Sequence, residues 1–213
     1  VKLYSGPLSL FSAKVRIALA EKKLDHELIQ VAWSRAKAYE PHHPEVVAQN
    51  PKRQVPVLVD GDVVVYDSTL ICEYLEERYP QPRLFPTDPA LRARCRQQEA
   101  AADEIWFPHL WKLIEARVYR SGSEPAAQAA TAALHELERE FDRGLGDREY
   151  WCGEFSVADL ATFVFVATSV SLGAPLADGL PRLAAWSQRV GARPAVGAVM
   201  LDLRTAAARL LAG

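Results

Sequence analysis

Three short stretches of this sequence combine residue types that can do chemistry. The first is Ser9-Leu10-Phe11-Ser12, directly before the run Lys14-Val15-Arg16-Ile17-Ala18-Leu19. A serine at a helix start caps free N–H groups, or it presents its hydroxyl at the end of the helix that favours an anion. The second stretch is Gln54-Val55-Pro56-Val57-Leu58. Proline withholds a ladder donor and so belongs at a strand entrance or edge. A cis X–Pro bond is uncommon and is kept for a particular backbone shape. A cis Val55-Pro56 bond would turn the N–H and C=O of Val55 toward another extended peptide. The third stretch is Asp67-Ser68, ahead of the amphipathic run TLICEYLEERY. Free N–H groups at a helix start, with a hydroxyl, bind a carboxylate, and Asp67 can take an ammonium. An α-amino acid end carries both groups. Each stretch also has a plain structural explanation, as a cap or an edge-strand proline.

Other chemistries lack their signatures. Serine hydrolysis asks for GxSxG or a partnered histidine, and neither is present. Cys72, Cys95 and Cys152 are odd in number, far apart and without CxxC. That spacing fits reduced thiols in a cytosolic chain rather than a disulfide framework or a zinc site. The histidines show no HExxH spacing, so no metal is expected. A formal net charge of −2 gives no reason to expect nucleic acid as a partner. No apolar run approaches the roughly 20 residues that span a bilayer. The opening residues VKLYSGPLSL also lack the basic and apolar regions of a signal peptide. With 49% apolar residues, the chain has enough to bury a core.

The elements that must position these stretches follow from periodicity. YPQPRLFPTDP, residues 79–89, holds four prolines and forbids a continuing helix. It separates a mixed part, residues 1–79, from an all-helical part, residues 90–213, with residues 80–89 as linker. In the first part, Lys2 to Tyr4, Glu27 to Val31, Val55 to Val59 and Val63 to Tyr66 read as strands. Phe11 to Lys23 and the run after Ser68 read as helices, with a short helix around Glu45 to Gln49. Asp60-Gly61-Asp62 is a hairpin signal. The helix-joined early strands should be parallel and the late pair antiparallel. In the second part, helices are expected from Pro89 to about Tyr119, Glu124 to Leu145, Leu180 to Val190 and Pro194 to Leu211. Pro108 should kink the first of them. FSVADL, residues 155–160, fits a capping box between Ser156 and Asp159, with Phe155 and Leu160 as a staple.

SLFSAKVRIAL, NPKRQVPVL, YDSTLICEYLEE and FSVADLATF stand in the order found in cytosolic glutathione transferases. The resemblance spans nearly the whole chain, and it implies a thioredoxin-like α/β first domain, a proline-rich linker and an all-α second domain. It implies glutathione as co-substrate, with no metal or prosthetic group, in a cytoplasmic homodimer. Val55 and Pro56 would pair with the cysteinyl unit of glutathione, Asp67 and Ser68 would hold its γ-glutamyl end, and Gln54 would lie near the tripeptide. His42 stands where plant-type members carry a lysine for the glycine carboxylate, with His43 as its neighbour. Asp103 would reach across a dimer to the glutathione amine. Phe11, Trp106 and His109 would wall the acceptor site, expected between the domains. The catalytic residue of the family lies five positions before the basic residue of [KR]-V-R-[IV], which here is Lys14, and so falls on Ser9. Serine-type members show S-P-F there, whereas this chain has Ser9-Leu10-Phe11.

A serine suffices for this task. A free thiol has a pKa near 8.5, so lowering it by about two units needs roughly 2.7 kcal/mol in favour of the anion. A hydrogen bond to a charged acceptor supplies about 1.5–3 kcal/mol, and a helix N-terminus about 0.3–1. Ser9 would thus donate to sulfur, with no general base, for attack on a small apolar electrophile. Three alternatives share the scaffold. A glutathione-dependent reductase often uses a protein cysteine, which is missing near Ser9. A zeta-like maleylacetoacetate isomerase carries S-S-C-S where this chain has SLFS. A non-catalytic binding or regulatory protein need not keep Ser9, Val55-Pro56 and Asp67-Ser68.

Overall fold

Leu3 and Tyr4 are adjacent in a strand and both are buried, so both faces of the first sheet must be covered. The computed structural model describes all residues except 41 and 213, and the last residue of the expected second part, Gly213, thus lies outside the described residues. Strands β1 (Lys2–Ser5), β2 (Glu27–Gln30), β3 (Val57–Asp60) and β4 (Val63–Tyr66) form one sheet in the order β2-β1-β3-β4. β1 and β2 are parallel, while β3 runs antiparallel to both β1 and β4. Asp60 pairs with Val63, leaving Gly61 and Asp62 as the hairpin loop. Gly61 has φ 59°, a left-handed value that glycine adopts freely. The third strand begins at Val57 rather than Val55, because Pro56 has no N–H to give the ladder.

Helix α1 (Leu10–Glu21) packs on α3 (Ser68–Arg78), which lies on β3 and β4. Beside the sheet, Tyr4, Val31, Val57 and Val46 of the short helix α2 (Pro44–Gln49) form a second apolar cluster, with Tyr39, Val55 and Tyr66 packed against it. This is the thioredoxin-like mixed sheet that the sequence predicted. A buried cation closes it at one end. Lys22, 3% exposed, spends its three N–H donors on Glu76 at 2.7 Å, the Tyr79 carbonyl at 2.8 Å and the Pro82 carbonyl at 3.0 Å. Glu76 also accepts from Leu84 N–H at 3.0 Å. One ammonium therefore ties the end of α1 to the end of α3 and to the proline-rich linker.

The remaining residues are helical. α4 (Pro89–Ala101) runs through a π-helical turn (Ala102–Trp106) into α5 (Phe107–Ile114) and a second π turn (Glu115–Tyr119). One long helix, kinked at Pro108, was expected here. Pro108 lacks an N–H and its ring crowds the carbonyl four residues back, and the wider turn just before it accommodates both. α6 (Glu124–Leu145) packs on α5 and on α8 (Pro181–Gly191), while α7 (Val157–Ser171) packs on α4, α5 and α8. α7 is buried around most of its circumference, so it is the centre of this helical core. The expected capping box closes at its start. Buried Asp159 accepts from Ser156 N–H and hydroxyl at 3.0 Å each, from Trp151 N–H at 3.0 Å and from Trp186 Nε1 at 2.8 Å. Phe155 packs edge-on to Tyr150 and under the Arg193 guanidinium.

Two compact units result: Val1–Leu84 with the segment from Pro194 onward, and Phe85–Arg193. The last helix, α9 (Pro194–Leu211), packs on α1, with Arg16 paired to Asp202 and Arg35 donating to the Leu211 carbonyl at 2.6 Å. The sequence reading grouped these residues with the helical part instead, since a helical period does not say where a helix docks.

Lys22→Ala leaves the Glu76 carboxylate buried and unpaired, and it should cost about 3–5 kcal/mol, read from urea unfolding. A loss under about 1 kcal/mol, the size of an exposed pair, contradicts the role given to Lys22. A second expectation concerns buried Glu138, which accepts from Ala177 N–H at 2.9 Å. Burial raises its carboxyl above the ordinary 4.5, outweighing that hydrogen bond. The folded state holds a proton that the unfolded chain releases, so this group's contribution falls as pH rises through 4.5 toward the raised value, and is flat above it. Glu138→Gln should remove that slope from the urea midpoints, and an unchanged slope refutes the assignment.

Candidate functional site

The sheet register places the three candidate stretches together. Val57 pairs with Tyr4 on one side and Tyr66 on the other. Beyond Tyr4 the chain turns through Gly6 to Ser9; before Val57 come Val55 and Pro56; beyond Tyr66 come Asp67 and Ser68. All three segments therefore leave the same end of three adjacent strands. With neighbouring strands about 4.8 Å apart, β1 to β4 spans about 10 Å, close to the length of an extended tripeptide at about 3.4 Å per residue.

Ser9 is the N-cap of α1, extended at φ −82° and ψ 114°. Its Oγ accepts from Ser12 N–H at 3.1 Å, and its own N–H donates to the Gly6 carbonyl at 3.2 Å. A hydroxyl has one donor and two acceptor positions, and capping consumes an acceptor. The Ser9 proton goes to no acceptor among the described residues. Capping and hydrogen-bond donation, posed as rivals by the sequence, are thus compatible at Ser9. Ser12 is different: it is buried, and its Oγ accepts from Gly6 N–H at 3.2 Å. Leu10, where serine-type relatives have proline, is the first helical residue and is buried. Phe11 is half-buried, with the buried Lys14 ammonium 5.7 Å from its ring centroid.

The Val55-Pro56 bond is cis, and the Val55 side chain packs on the Tyr4–Val57 cluster. Gln54 is exposed. Asp67 caps α3, its Oδ1 accepting from Thr69 N–H at 3.1 Å, while Lys52 Nζ stands 3.3 Å from Oδ2. Its φ of 77° with ψ 126° is a conformation that side chains other than glycine rarely occupy, and such outliers concentrate at binding and catalytic positions. Ser68 is buried beside it.

The two histidines divide plainly. His43 caps α2, its Nδ1 accepting from Glu45 N–H at 3.3 Å, with its ring 5.2 Å from that of Tyr4. His42 is partly exposed and pairs with Glu40 at 3.0 Å. Asp103 and Trp106 lie in the first π turn and His109 in α5, all within the helical unit. Trp106 has no exposure, donates to Ser169 Oγ at 3.1 Å and packs on Phe141 at 5.4 Å. It fills the helical core and is not a surface for an acceptor molecule. His109 keeps partial exposure.

Sequence reasoning missed Asn50. This residue is 2% exposed, donates from Nδ2 to the Gln54 carbonyl at 2.7 Å, and accepts Lys52 N–H on Oδ1 at 2.9 Å. It shapes the turn that delivers Gln54 and Val55. An Asn-Pro dipeptide favours a turn, but nothing in it announces a buried amide holding two backbone groups.

A thioredoxin-like α/β unit joined to an all-α unit is the architecture of the glutathione transferases. Residues 3–83 match the family model described as "Glutathione S-transferase, N-terminal domain". A stringent starvation protein A homolog of Coxiella burnetii is 34% identical over 160 residues, 74% of this chain and 70% of the relative. The maleylacetoacetate isomerase of Pseudomonas aeruginosa is 46% identical over 97 residues, 45% of each chain. The crystal structure of a glutathione S-transferase from Rhodospirillum rubrum F11 superposes with TM-score 0.82 at 28% identity, covering 93% of this chain and 90% of that one. The chain belongs to the cytosolic glutathione transferase family.

Asn50→Ala should remove both hydrogen bonds of this buried amide and cost about 1–3 kcal/mol. Urea unfolding and amide exchange at Lys52 test this. Wild-type stability together with wild-type protection at Lys52 would refute the part given to Asn50.

Proposed function

We propose that this protein is a serine-type glutathione transferase that holds the glutathione thiol as thiolate for attack on small apolar electrophiles. One observation carries the reading: Ser9 caps α1 with an oxygen lone pair and keeps its proton, at the sheet end shared by Val55-Pro56 and Asp67-Ser68. In this reading the backbone of Val55 pairs with the cysteinyl unit of glutathione. The Asp67 carboxylate takes the α-ammonium, and the start of α3 with Ser68 takes the α-carboxylate. The sulfur then lies at the start of α1, where Ser9 donates to it and the helix end favours its charge. The thiol proton leaves to solvent. The thiolate forms a C–S bond at the electrophilic carbon of an alkyl or aryl halide while the carbon–halogen bond breaks and halide leaves to solvent. Gln54 and His42 stand on the loops flanking the tripeptide, with His42 nearer its glycine end. Phe11 and His109 remain candidate acceptor contacts, Asp103 a candidate for the amine across a homodimer. A cytoplasmic setting is part of this reading, as the resemblance implies; among the described residues no helix is long and apolar enough to cross a membrane.

A second reading rests on the identity shared with the maleylacetoacetate isomerase. It uses the same bound thiolate on a different acceptor. Phe11 stands where that class carries cysteine in S-S-C-S, so conjugation is preferred here. The stringent starvation relative supports a third reading, a regulatory protein that needs no activated thiol.

Thiolate difference absorbance of bound glutathione separates these. Wild type should lower the thiol pKa by about two units, and Ser9→Ala should return most of that, roughly a tenfold to hundredfold fall in the thiolate-to-thiol ratio at any pH. A bound thiol at its free value in the wild type sinks both enzymatic readings. Turnover of maleylacetoacetate in preference to a panel of aryl and alkyl halides would establish the isomerase.

A further inference from the structure

The turn that carries Ser9 is held at one glycine. Gly6 donates its N–H to Ser12 Oγ at 3.2 Å and accepts Ser9 N–H on its carbonyl at 3.2 Å. Its remaining face is closed by Tyr39. A Cβ built on Gly6 would lie 2.5 Å from the Tyr39 hydroxyl oxygen and 2.7 Å from two ring carbons. No side chain fits there without displacing the phenol, so ring and backbone are in direct contact.

Tyr39 is itself well supported. Its ring packs against the cluster of Tyr4, Val31, Val46 and Val57. The loop before it closes on itself, Ser34 N–H donating to the Ala38 carbonyl at 2.9 Å and Glu40 N–H to the Lys37 carbonyl at 2.8 Å. Arg35, in the same loop, is tied to the Leu211 carbonyl of α9. The phenol is thus a wall supported from behind, and the Gly6–Ser9 turn that meets it is held by hydrogen bonds of 3.2 Å.

We infer that Tyr39 is a positioning residue for the thiolate site: its ring, pressed on Gly6, sets where the Gly6–Ser9 turn lies and so where the Ser9 hydroxyl points. The inference rests on the reading of Ser9 as the thiol's hydrogen-bond donor. A donor of this kind acts only in register, and a displacement of about 1 Å can cost a factor of a hundred. Tyr39 needs no contact with glutathione for this. Its removal should therefore change the state of the bound sulfur more than the affinity for the tripeptide.

The experiment compares wild type, Tyr39→Phe, Tyr39→Ala, Gly6→Ala and Ser9→Ala, each with bound glutathione. The readouts are thiolate difference absorbance against pH and the dissociation constant by calorimetry. Tyr39→Ala should raise the bound-thiol pKa by about one unit, a tenfold fall in the thiolate-to-thiol ratio, with affinity changed less than about threefold. Tyr39→Phe keeps the ring and should restore the wild-type pKa. Gly6→Ala, which pushes the same contact from the other side, should match Tyr39→Ala and serves if that variant does not fold. A wild-type pKa in Tyr39→Ala or Gly6→Ala overturns the inference while Ser9→Ala still shows its shift. A rise in Tyr39→Phe equal to that in Tyr39→Ala also overturns it, because the hydroxyl rather than the ring would be acting. If Ser9→Ala shifts nothing, the underlying site reading falls, and the inference with it.

Discussion

The antiparallel reversal at β3 is the constraint on which the candidate site depends. In an all-parallel sheet the strand starts and strand ends gather on opposite edges. Here β3 runs against β1 and β4, so the segment entering β3 emerges beside the segments leaving the other two. The pairing of Val57 with Tyr4 and Tyr66 thereby gathers a helix cap, a proline-directed backbone turn and a second helix cap. A register slip of one residue would turn Tyr4, Val57 and Tyr66 from one face to the other and scatter the three segments. The apolar cluster beneath them guards against that slip. Packing energy and site geometry are fixed by the same side chains.

Serine at the head of α1 shows how a structural and a chemical role share one atom. The two uses of a hydroxyl are separable, because the lone pairs face the helix and the proton does not. Threonine, aspartate and asparagine also cap helices. Aspartate lacks a proton to give at neutral pH, and its charge would repel a thiolate. Serine is small, neutral and able to donate, which makes the cap useful beyond folding. At Asp67 the assignment is complementary: that cap is anionic, and its second oxygen faces a cation, Lys52.

Much of this was readable from the sequence, for local reasons. Period, proline and glycine placement gave the order of elements, the hairpin at Gly61 and the box at Ser156 and Asp159. The spacing from Lys14 singled out Ser9 rather than Ser12, and the structure shows Ser12 committed to Gly6. What escaped was long-range. Lys22 meets Glu76 and Pro82 across 54 and 60 residues, and Tyr39 reaches Gly6 from a loop without regular structure. Asn50 is invisible for a different cause, since a buried amide in a turn has the same one-letter appearance as an exposed one. Trp106 was misjudged because an aromatic on a helix does not reveal which face the core claims. The π turn before Pro108 lies below the resolution of any periodicity argument.

The docking of α9 on α1 separates what is inherited from what folds. The family model stops at residue 83, as though the first unit were a module that could be shuffled as one piece. Physically that module has a gap in its wall. The flank of α1 that meets α9, with Arg16 reaching for Asp202, is completed by residues more than a hundred positions downstream. A gene fragment cut at the linker would therefore encode the first unit without the helix that packs on α1 and without the partner of Arg16. The helical unit is, in topological language, an insertion into the first, and the chain becomes whole only when its last helix comes home.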